Sequence, residues 1–275
     1  ILELGSVIPN LYVVDIDLKP SLYLDKFATK FPKRFIECGV AESNATGVAA
    51  GLAKTGKKVF LTSFACFSPS INWALIKESV CYNNLPVVIV GSHAGLGSGD
   101  LGATHQSLED VALMRTLPNM EVFAPADSLE TVKIVKSLAH NPHPAYLRLV
   151  RPSSSNITNP KTPFVIGKSH LLQSGTDVTV LGYGPILTEA LKIENWNLEI
   201  INCSSLKPLD ETTILKSVKK TGRCLVIEDH QKNGGLGDAI ANLILSSGIK
   251  CKFIHLGVEY FFDYYIKKKH QVQWK

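Results

Sequence analysis

The sequence predicts an α/β protein of two domains, each a mostly parallel sheet flanked by helices. Three observations carry that reading. Strand-length apolar runs alternate with helix-length stretches along the chain. The runs are continuously apolar, as expected for strands buried on both faces of a parallel sheet. A stretch rich in Ser, Asn, Thr and Pro, RPSSSNITNPKTPF at 151–164, has little to bury and divides the chain. The expected domains are 1–151 and 165–275, with a linker at 152–164.

In the first half, LYVVDI (11–16), RFIECGV (34–40), KVFLTSF (58–64) and PVVIVGS (86–92) read as buried strands. The segment 43–54 is small and alanine-rich and reads as a helix. A second helix is expected over 70–83, with Ile71, Ala74, Leu75 and Val80 at helical spacing. A third is expected over 107–117, with Leu108, Val111, Ala112 and Leu117. MEVFAPAD reads as strand and turn, SLETVKIVKSLAH (128–140) as a helix, and AYLRLV closes the first half. In the second half, DVTVLGYG, LEIINCSS, RCLVIEDH and KCKFIHLGV read as a smaller parallel sheet. Helices starting near 185, 210 and 237 connect them.

Composition sets limits on class. Hydrophobic residues make up 45% of the 275 and charged residues 19%, an ordinary balance for a protein with real cores. No apolar run reaches the roughly 18–20 residues of a membrane span, and no signal peptide is legible at Ile1. The missing initial Met suggests that a few residues precede Ile1. The six cysteines form no CxxC pair, so buried free thiols in a reducing compartment, the cytoplasm, are expected rather than zinc or disulfides. The net charge of +5 is diffuse, and the Lys267-Lys268-Lys269 run reads as a solvated face. Neither a nucleic-acid nor a membrane partner is expected.

Ligands of open parallel sheets bind beyond the carboxyl ends of the strands. Several chemistry-bearing residues fall there. Asp17 and Ser21 follow LYVVDI, Glu42 follows RFIECGV, and Phe64 and Phe67 follow KVFLTSF. His93 opens a glycine-rich loop that passes Asp100 and ends at His105, and Arg148 and Arg151 precede the linker. Each residue has a plainer role. Glu42 can simply favour the positive end of the next helix, and Ser43 or Asn44 can cap that helix. The phenylalanines can be core, the histidines satisfied loop residues, and the glycines turn formers. Ser21 can be a helix cap, Asp17 a turn former and Arg151 a linker charge. A second glycine cluster, EDHQKNGGLGDAIANLI at 228–244, resembles an anion-binding turn, but tight strand-to-helix packing is the preferred reading.

Taken together, several separated blocks resemble the transketolase family of thiamine-diphosphate enzymes. They are IECGVAESNATGVAAGLA, LTSFACF, GSHAGLGSGDLGATHQSLEDVALMRTLPNMEVFAPAD, LKPLDETTI and VIEDHQKNGGLGDAIA, in the family's order over nearly the whole chain. The resemblance implies a pyrimidine-binding domain followed by a transketolase C-terminal domain. The family's diphosphate-binding domain would carry Gly-Asp-Gly and a later Asn, and no such stretch occurs. The resemblance therefore implies the C-terminal subunit of a split transketolase. A separate N-terminal subunit would bind the diphosphate and supply the Mg2+ ligands, so no metal-binding residue is expected here. Two copies of each subunit are expected. The activity implied is transfer of a two-carbon ketol unit from a ketose phosphate to an aldose phosphate.

By the same resemblance, Glu42 meets a pyrimidine ring nitrogen of the cofactor and donates a proton to it when protonated. Phe67 stacks on the pyrimidine, with Phe64 lining the pocket and Asp17 near the cofactor. His93 and His105 reach the sugar as hydroxyl ligands or proton carriers. Ser21 and Arg151 lie at the phosphate end. The sequence departs from the family at Ser43, usually Gln, at Ser70, often aromatic, and at Leu101, usually an acid. Asp100, one residue earlier, is the candidate replacement for that acid. The segment GVEYFFDYY is more aromatic than usual. Two other readings stand beside this one: the β subunit of a 2-oxoacid dehydrogenase decarboxylase, and a non-catalytic partner subunit. Deoxyxylulose-phosphate synthase shares much of the histidine loop but is normally one long chain.

Overall fold

The computed structural model describes residues 1–259. The Lys267–Lys269 run and most of the GVEYFFDYY segment lie outside the described residues. The strands are β1 Leu11–Asp15, β2 Phe35–Glu37, β3 Lys58–Phe64, β4 Val87–Ser92, β5 Glu121–Phe123 and β6 Ala145–Arg148 in the first half. The second half holds β7 His170–Gln173, β8 Val178–Gly182, β9 Leu198–Asn202, β10 Ser205–Lys207, β11 Arg223–Gln231 and β12 Lys252–Val258.

The first sheet runs β10-β5-β6-β4-β3-β1-β2, and the second β12-β11-β8-β9-β7. Every pairing is parallel except β10 with β5 and β7 with β9. The central strands are buried on both faces, β3 at every residue, which is why their sequences are continuously apolar or small. The helix Glu42–Lys54 buries Ala45, Ala49, Ala50 and Ala53 against one face of the first sheet. Methyl-sized side chains at this spacing let the helix lie close to the strands. Leu11, Val13, Phe60, Val88 and Leu147 meet Ile134 and Leu138 on the other face.

Two strands are absent from the sequence reading. HLLQ is too short to show a pattern, and Leu171 within it is 54% exposed. β10 has three residues and pairs across the domain division, so the second half supplies an edge strand to the first sheet. Lys207 fixes it by donating through Nζ to the Leu117 and Arg115 carbonyls. The helix expected over 70–83 is also corrected. Only Trp73–Leu75 is α-helical, and Ile76–Cys81 continues as a π-helix, with Tyr82 N donating to Lys77 O. The expected Val80 is buried, but the wider turn buries Ile76 and Cys81 beside it and leaves Ile71 and Ala74 exposed.

One apolar cluster is continuous between the halves, from Val14 and Leu61 to Leu181, Ile201 and Leu236. A buried polar group crosses the same boundary. Arg148 Nε donates to Asp110 Oδ2 at 3.1 Å, and Tyr146 Oη donates to the same carboxylate at 2.7 Å. Arg148 then donates from Nη2 to the Asp229 carbonyl at 2.6 Å and lies 5.7 Å from the Tyr183 ring centroid. The Asp110 charge holds Arg148 protonated despite the burial that opposes it. The sequence places Arg148 at the ligand edge; in the structure its guanidinium is occupied inside the protein.

Removing one partner of a buried pair strands the other charge. Arg148→Met is expected to lower unfolding free energy by about 3–5 kcal/mol in urea titration. Tyr146→Phe is expected to cost about 1–3 kcal/mol. An Arg148→Met variant as stable as the parent would contradict this assignment.

Candidate active site

The expected site residues emerge from the carboxyl ends of adjacent parallel strands. Asp17 and Ser21 follow β1, and Glu42 follows β2 at the first turn of its helix. Phe64 ends β3, with Phe67 in the next turn; His93 follows β4 and Arg151 follows β6. The first sheet thus gathers most of the candidates along one edge.

Phe64, Phe67, His93 and His105 form one cluster. The Phe64 and Phe67 rings are 18° from parallel with centroids 6.0 Å apart. The His93 ring lies 4.0 Å from Phe64, and His105 packs edge-on to Phe67 at 5.4 Å. His93 has a φ of +58°, a left-handed conformation that costs a non-glycine residue energy. Its Nδ1 is 3.0 Å from Ser92 Oγ. Burial, then the Arg151 charge and the neighbouring His105, hold His93 below the ordinary imidazole range, favouring the neutral ring.

Glu42 is only 8% exposed, and among the described residues its carboxylate accepts no hydrogen bond. Its own carbonyl accepts from Thr46 Oγ1 at 2.8 Å and from Asn72 Nδ2 at 3.4 Å. The helix N-cap is Ala41, without a side-chain bond, so neither Ser43 nor Asn44 caps it. Asn72 also donates to Thr46 and Ser68, tying the turn after β3 to this helix. Cys66, between the two phenylalanines, is pushed up to about 11 by burial, with the Glu109 and Glu42 charges adding to it.

A cavity of about 520 Å³ is lined by Ser21, Thr62, Ser92, His93 and Arg151 over an apolar floor that includes Phe60 and Leu147. Arg151 sits at its rim, donating to Ser98 O at 3.2 Å and paired with Asp100. Asp100 is exposed and held below the usual carboxylate range by that hydrogen bond and charge. Asp17 has a φ of +61°, and its N–H donates to Glu37 Oε1 at 2.8 Å. Neither Asp17 nor Glu42 touches the cavity lining. Among the described residues no group of three or more His, Cys, Asp or Glu is placed to hold a metal ion. None of their helices is long and apolar enough to cross a membrane.

Two features escaped the sequence reading. Ser98 Oγ lies within reach of both the His93 and His105 carbonyls, so one hydroxyl proton can tie either end of the histidine loop. Asp15 is buried under the site, accepting from Thr62 Oγ1 at 2.7 Å and Leu18 N at 2.9 Å. Burial raises its pKa against those bonds. Only an acid ending an apolar strand signals Asp15, and nothing in GSGD singles out Ser98.

The second glycine cluster is not an anion site. Glu228 accepts from Leu236 N at 2.8 Å and Gly237 N at 2.9 Å, occupying the amides that open the helix Leu236–Ser247. A Cβ on Gly235 would lie 2.4 Å from Glu228 Oε2, and one on Gly237 2.2 Å from His255. The glycines serve packing.

The lowered His93 pKa fixes a pH dependence. The unfolded imidazole binds protons more readily than the folded one, so this group destabilises the fold as pH falls through about 6.5. The loss levels off below the folded pKa. His93→Gln is expected to flatten the fall in stability between neutral and mildly acidic pH. Parallel stability–pH curves for parent and variant would refute the assignment.

Comparison with known proteins agrees with the fold. Residues 1–155 match the transketolase pyrimidine-binding domain and residues 167–264 the transketolase C-terminal domain. A Methanocaldococcus jannaschii protein named for a transketolase C-terminal section is 40% identical over 266 residues, covering 94% of this chain and 83% of that protein. One of the subunits of the apulose-4-phosphate transketolase of Phocaeicola vulgatus is 35% identical, covering 92% and 84%. Human transketolase is 34% identical, and the chain spans 40% of its length. A solved split-gene transketolase, described as an inactive β4 tetramer, superposes with a TM-score of 0.86 at 36% identity, covering 96% of this chain and 89% of that one. The chain belongs to the transketolase family and carries that family's pyrimidine-binding and C-terminal domains.

Proposed function

We propose that this chain is the C-terminal subunit of a split, thiamine-diphosphate-dependent transketolase. It would transfer a two-carbon ketol unit between sugar phosphates only in complex with a diphosphate-binding subunit. The observation that carries this reading is Glu42: a residue 8% exposed, in the first turn of its helix, whose carboxylate has no hydrogen-bond partner among the described residues and whose charge acts on Cys66, which lies between Phe64 and Phe67 in the chain. Protonated, Glu42 offers a hydrogen-bond donor to a heterocycle nitrogen, and the Phe64–Phe67 surface suits a flat ring. These residues fit the pyrimidine half of thiamine diphosphate. The partner chain would hold the diphosphate and Mg2+.

Bound there, the cofactor supplies the electron sink for breaking and making a carbon–carbon bond. The protein's part is positional. Glu42 would face a pyrimidine ring nitrogen of the bound cofactor. A neutral imidazole offers one donor and one acceptor, so His93 suits a hydroxyl of a polyol rather than a carboxylate, and His105 would reach the sugar beside it. Arg151 binds the terminal phosphate with Ser21, and Asp100 holds the guanidinium at the rim. Asp17 would lie near the bound cofactor, as the resemblance implies. Relatives are named for apulose 4-phosphate and for 6-deoxy-6-sulfo-D-fructose. The reading places the choice of sugar at the Ser21–Asp100–Arg151 end and ketol transfer at Glu42 and the histidines. The described inactive tetramer of a related β chain supports dependence on a second subunit.

The test is ketol transfer from xylulose 5-phosphate to ribose 5-phosphate by this chain, its candidate partner, thiamine diphosphate and Mg2+. Activity is expected in the mixture and not with the chain alone. Turnover by the chain without a partner would overturn the split-subunit reading. Glu42→Gln is expected to lower kcat by about 10²–10⁴-fold with the fold intact, and unchanged turnover would remove Glu42 from the mechanism. Arg151→Ala is expected to raise KM for the sugar phosphate by about 10–100-fold, the loss of a charged hydrogen bond; an unaltered KM would place the phosphate elsewhere.

A further inference from the structure

The loop carrying His93 and His105 is not held by its own domain alone. Its neck is closed by Gly95 N to Ser107 O at 2.8 Å and Ala94 N to Leu149 O at 3.0 Å. Three consecutive residues at the end of β11, in the small domain, then grip the segment that follows. Asp229 Oδ1 accepts from Leu96 N at 3.1 Å, His230 Nε2 from Ala112 N at 3.3 Å, and Gln231 N donates to Leu108 O at 2.9 Å. Leu96 N lies three residues after His93 and Leu108 O three residues after His105, so the loop is gripped at both ends.

The fit at that contact is close. Gly95 has a φ of +74°, and a Cβ there would lie 1.9 Å from Asp229 Oδ2 and 3.0 Å from Arg148 Nη2. The carboxylate therefore rests against a backbone turn that only glycine can make at this distance. Asp229 is itself fixed, because its carbonyl accepts from the buried Arg148. An unbroken path runs from the Asp110–Arg148 pair through Asp229 to the Gly95–Leu96 turn and so to His93, whose left-handed φ needs its surroundings to enforce it.

We propose that Asp229 is a positioning residue: by holding the Gly95–Leu96 turn, the small domain sets where His93 and His105 stand. The consequence for catalysis rests on the function proposed above, while the structural claim does not. Asp229 does not touch the cavity, and its role is exerted through Leu96 N–H. Aspartate and asparagine both present an acceptor oxygen at this position, whereas alanine does not.

The test compares Asp229→Ala, Asp229→Asn and the parent as full chains and in complex with the partner chain. Amide exchange over 96–106 in the chain alone is expected to rise at least tenfold in Asp229→Ala, with core strands β3 and β4 unchanged. Asp229→Asn is expected to restore most of the protection. In the complex, Asp229→Ala is expected to raise sugar KM several-fold while thiamine diphosphate affinity stays within twofold. A loop whose exchange is unchanged in Asp229→Ala would overturn the proposal, as would an asparagine variant no better protected than alanine. So would a loss spread evenly over the whole chain, which would mark Asp229 as a general structural contact. If the parent complex fails to transfer ketol groups, the function is wrong, and the exchange data still decide the role of Asp229.

Discussion

The buried pair of Arg148 and Asp110 is the constraint on which the rest of the molecule depends. Both residues belong to the first half of the chain, yet the guanidinium makes its further hydrogen bond to the second half, at the Asp229 carbonyl. A charge taken out of water needs a counter-charge and further hydrogen bonds to be tolerated. Docking the small domain supplies the missing acceptor and the Tyr183 ring. The two halves are therefore joined by satisfaction of a buried cation as well as by apolar contact. β10 reinforces the join by extending the first sheet with a strand from the second half.

That join lies directly beneath the loop bearing His93 and His105. The same strand end that receives Arg148 receives Leu96 N, so the rigid interdomain contact and the proposed substrate loop share a support. Catalytic geometry needs such backing, since side chains on a glycine-rich loop are otherwise free to wander. Glu42 is supported differently, by the Asn72 bonds that tie the β3 turn to its helix. The candidate site is thus assembled from one sheet edge but braced from two directions.

Much of this is legible in the sequence because it is local. Continuously apolar runs announce the central parallel strands, and small residues after Glu42 announce a helix packed close to them. Phe64, Phe67, His93 and His105 are legible as neighbours because adjacent parallel strands deliver their ends to one edge. What stays hidden depends on partners far away in sequence. β10 is a strand only because β5 lies beside it. Arg148 looks like a ligand-edge arginine until Asp110 and Asp229 claim it. Asp229 looks like one more acid in a glycine-rich stretch, and only its 133-residue reach to Leu96 reveals a second role. Ser43 and Asn44 have good capping chemistry, but the helix begins too early for either to use it.

The central claim is that this chain supplies the pyrimidine half of a cofactor site and that another chain completes it. Calorimetric titration of thiamine diphosphate with Mg2+ tests it most directly, run on the chain alone, on the complex and on the complex carrying Glu42→Ala. The account predicts saturable binding in the complex, weaker binding in the Glu42→Ala complex, and none with the chain alone. Equal affinity for the isolated chain and the complex, or an unaltered affinity without the Glu42 carboxylate, would contradict it.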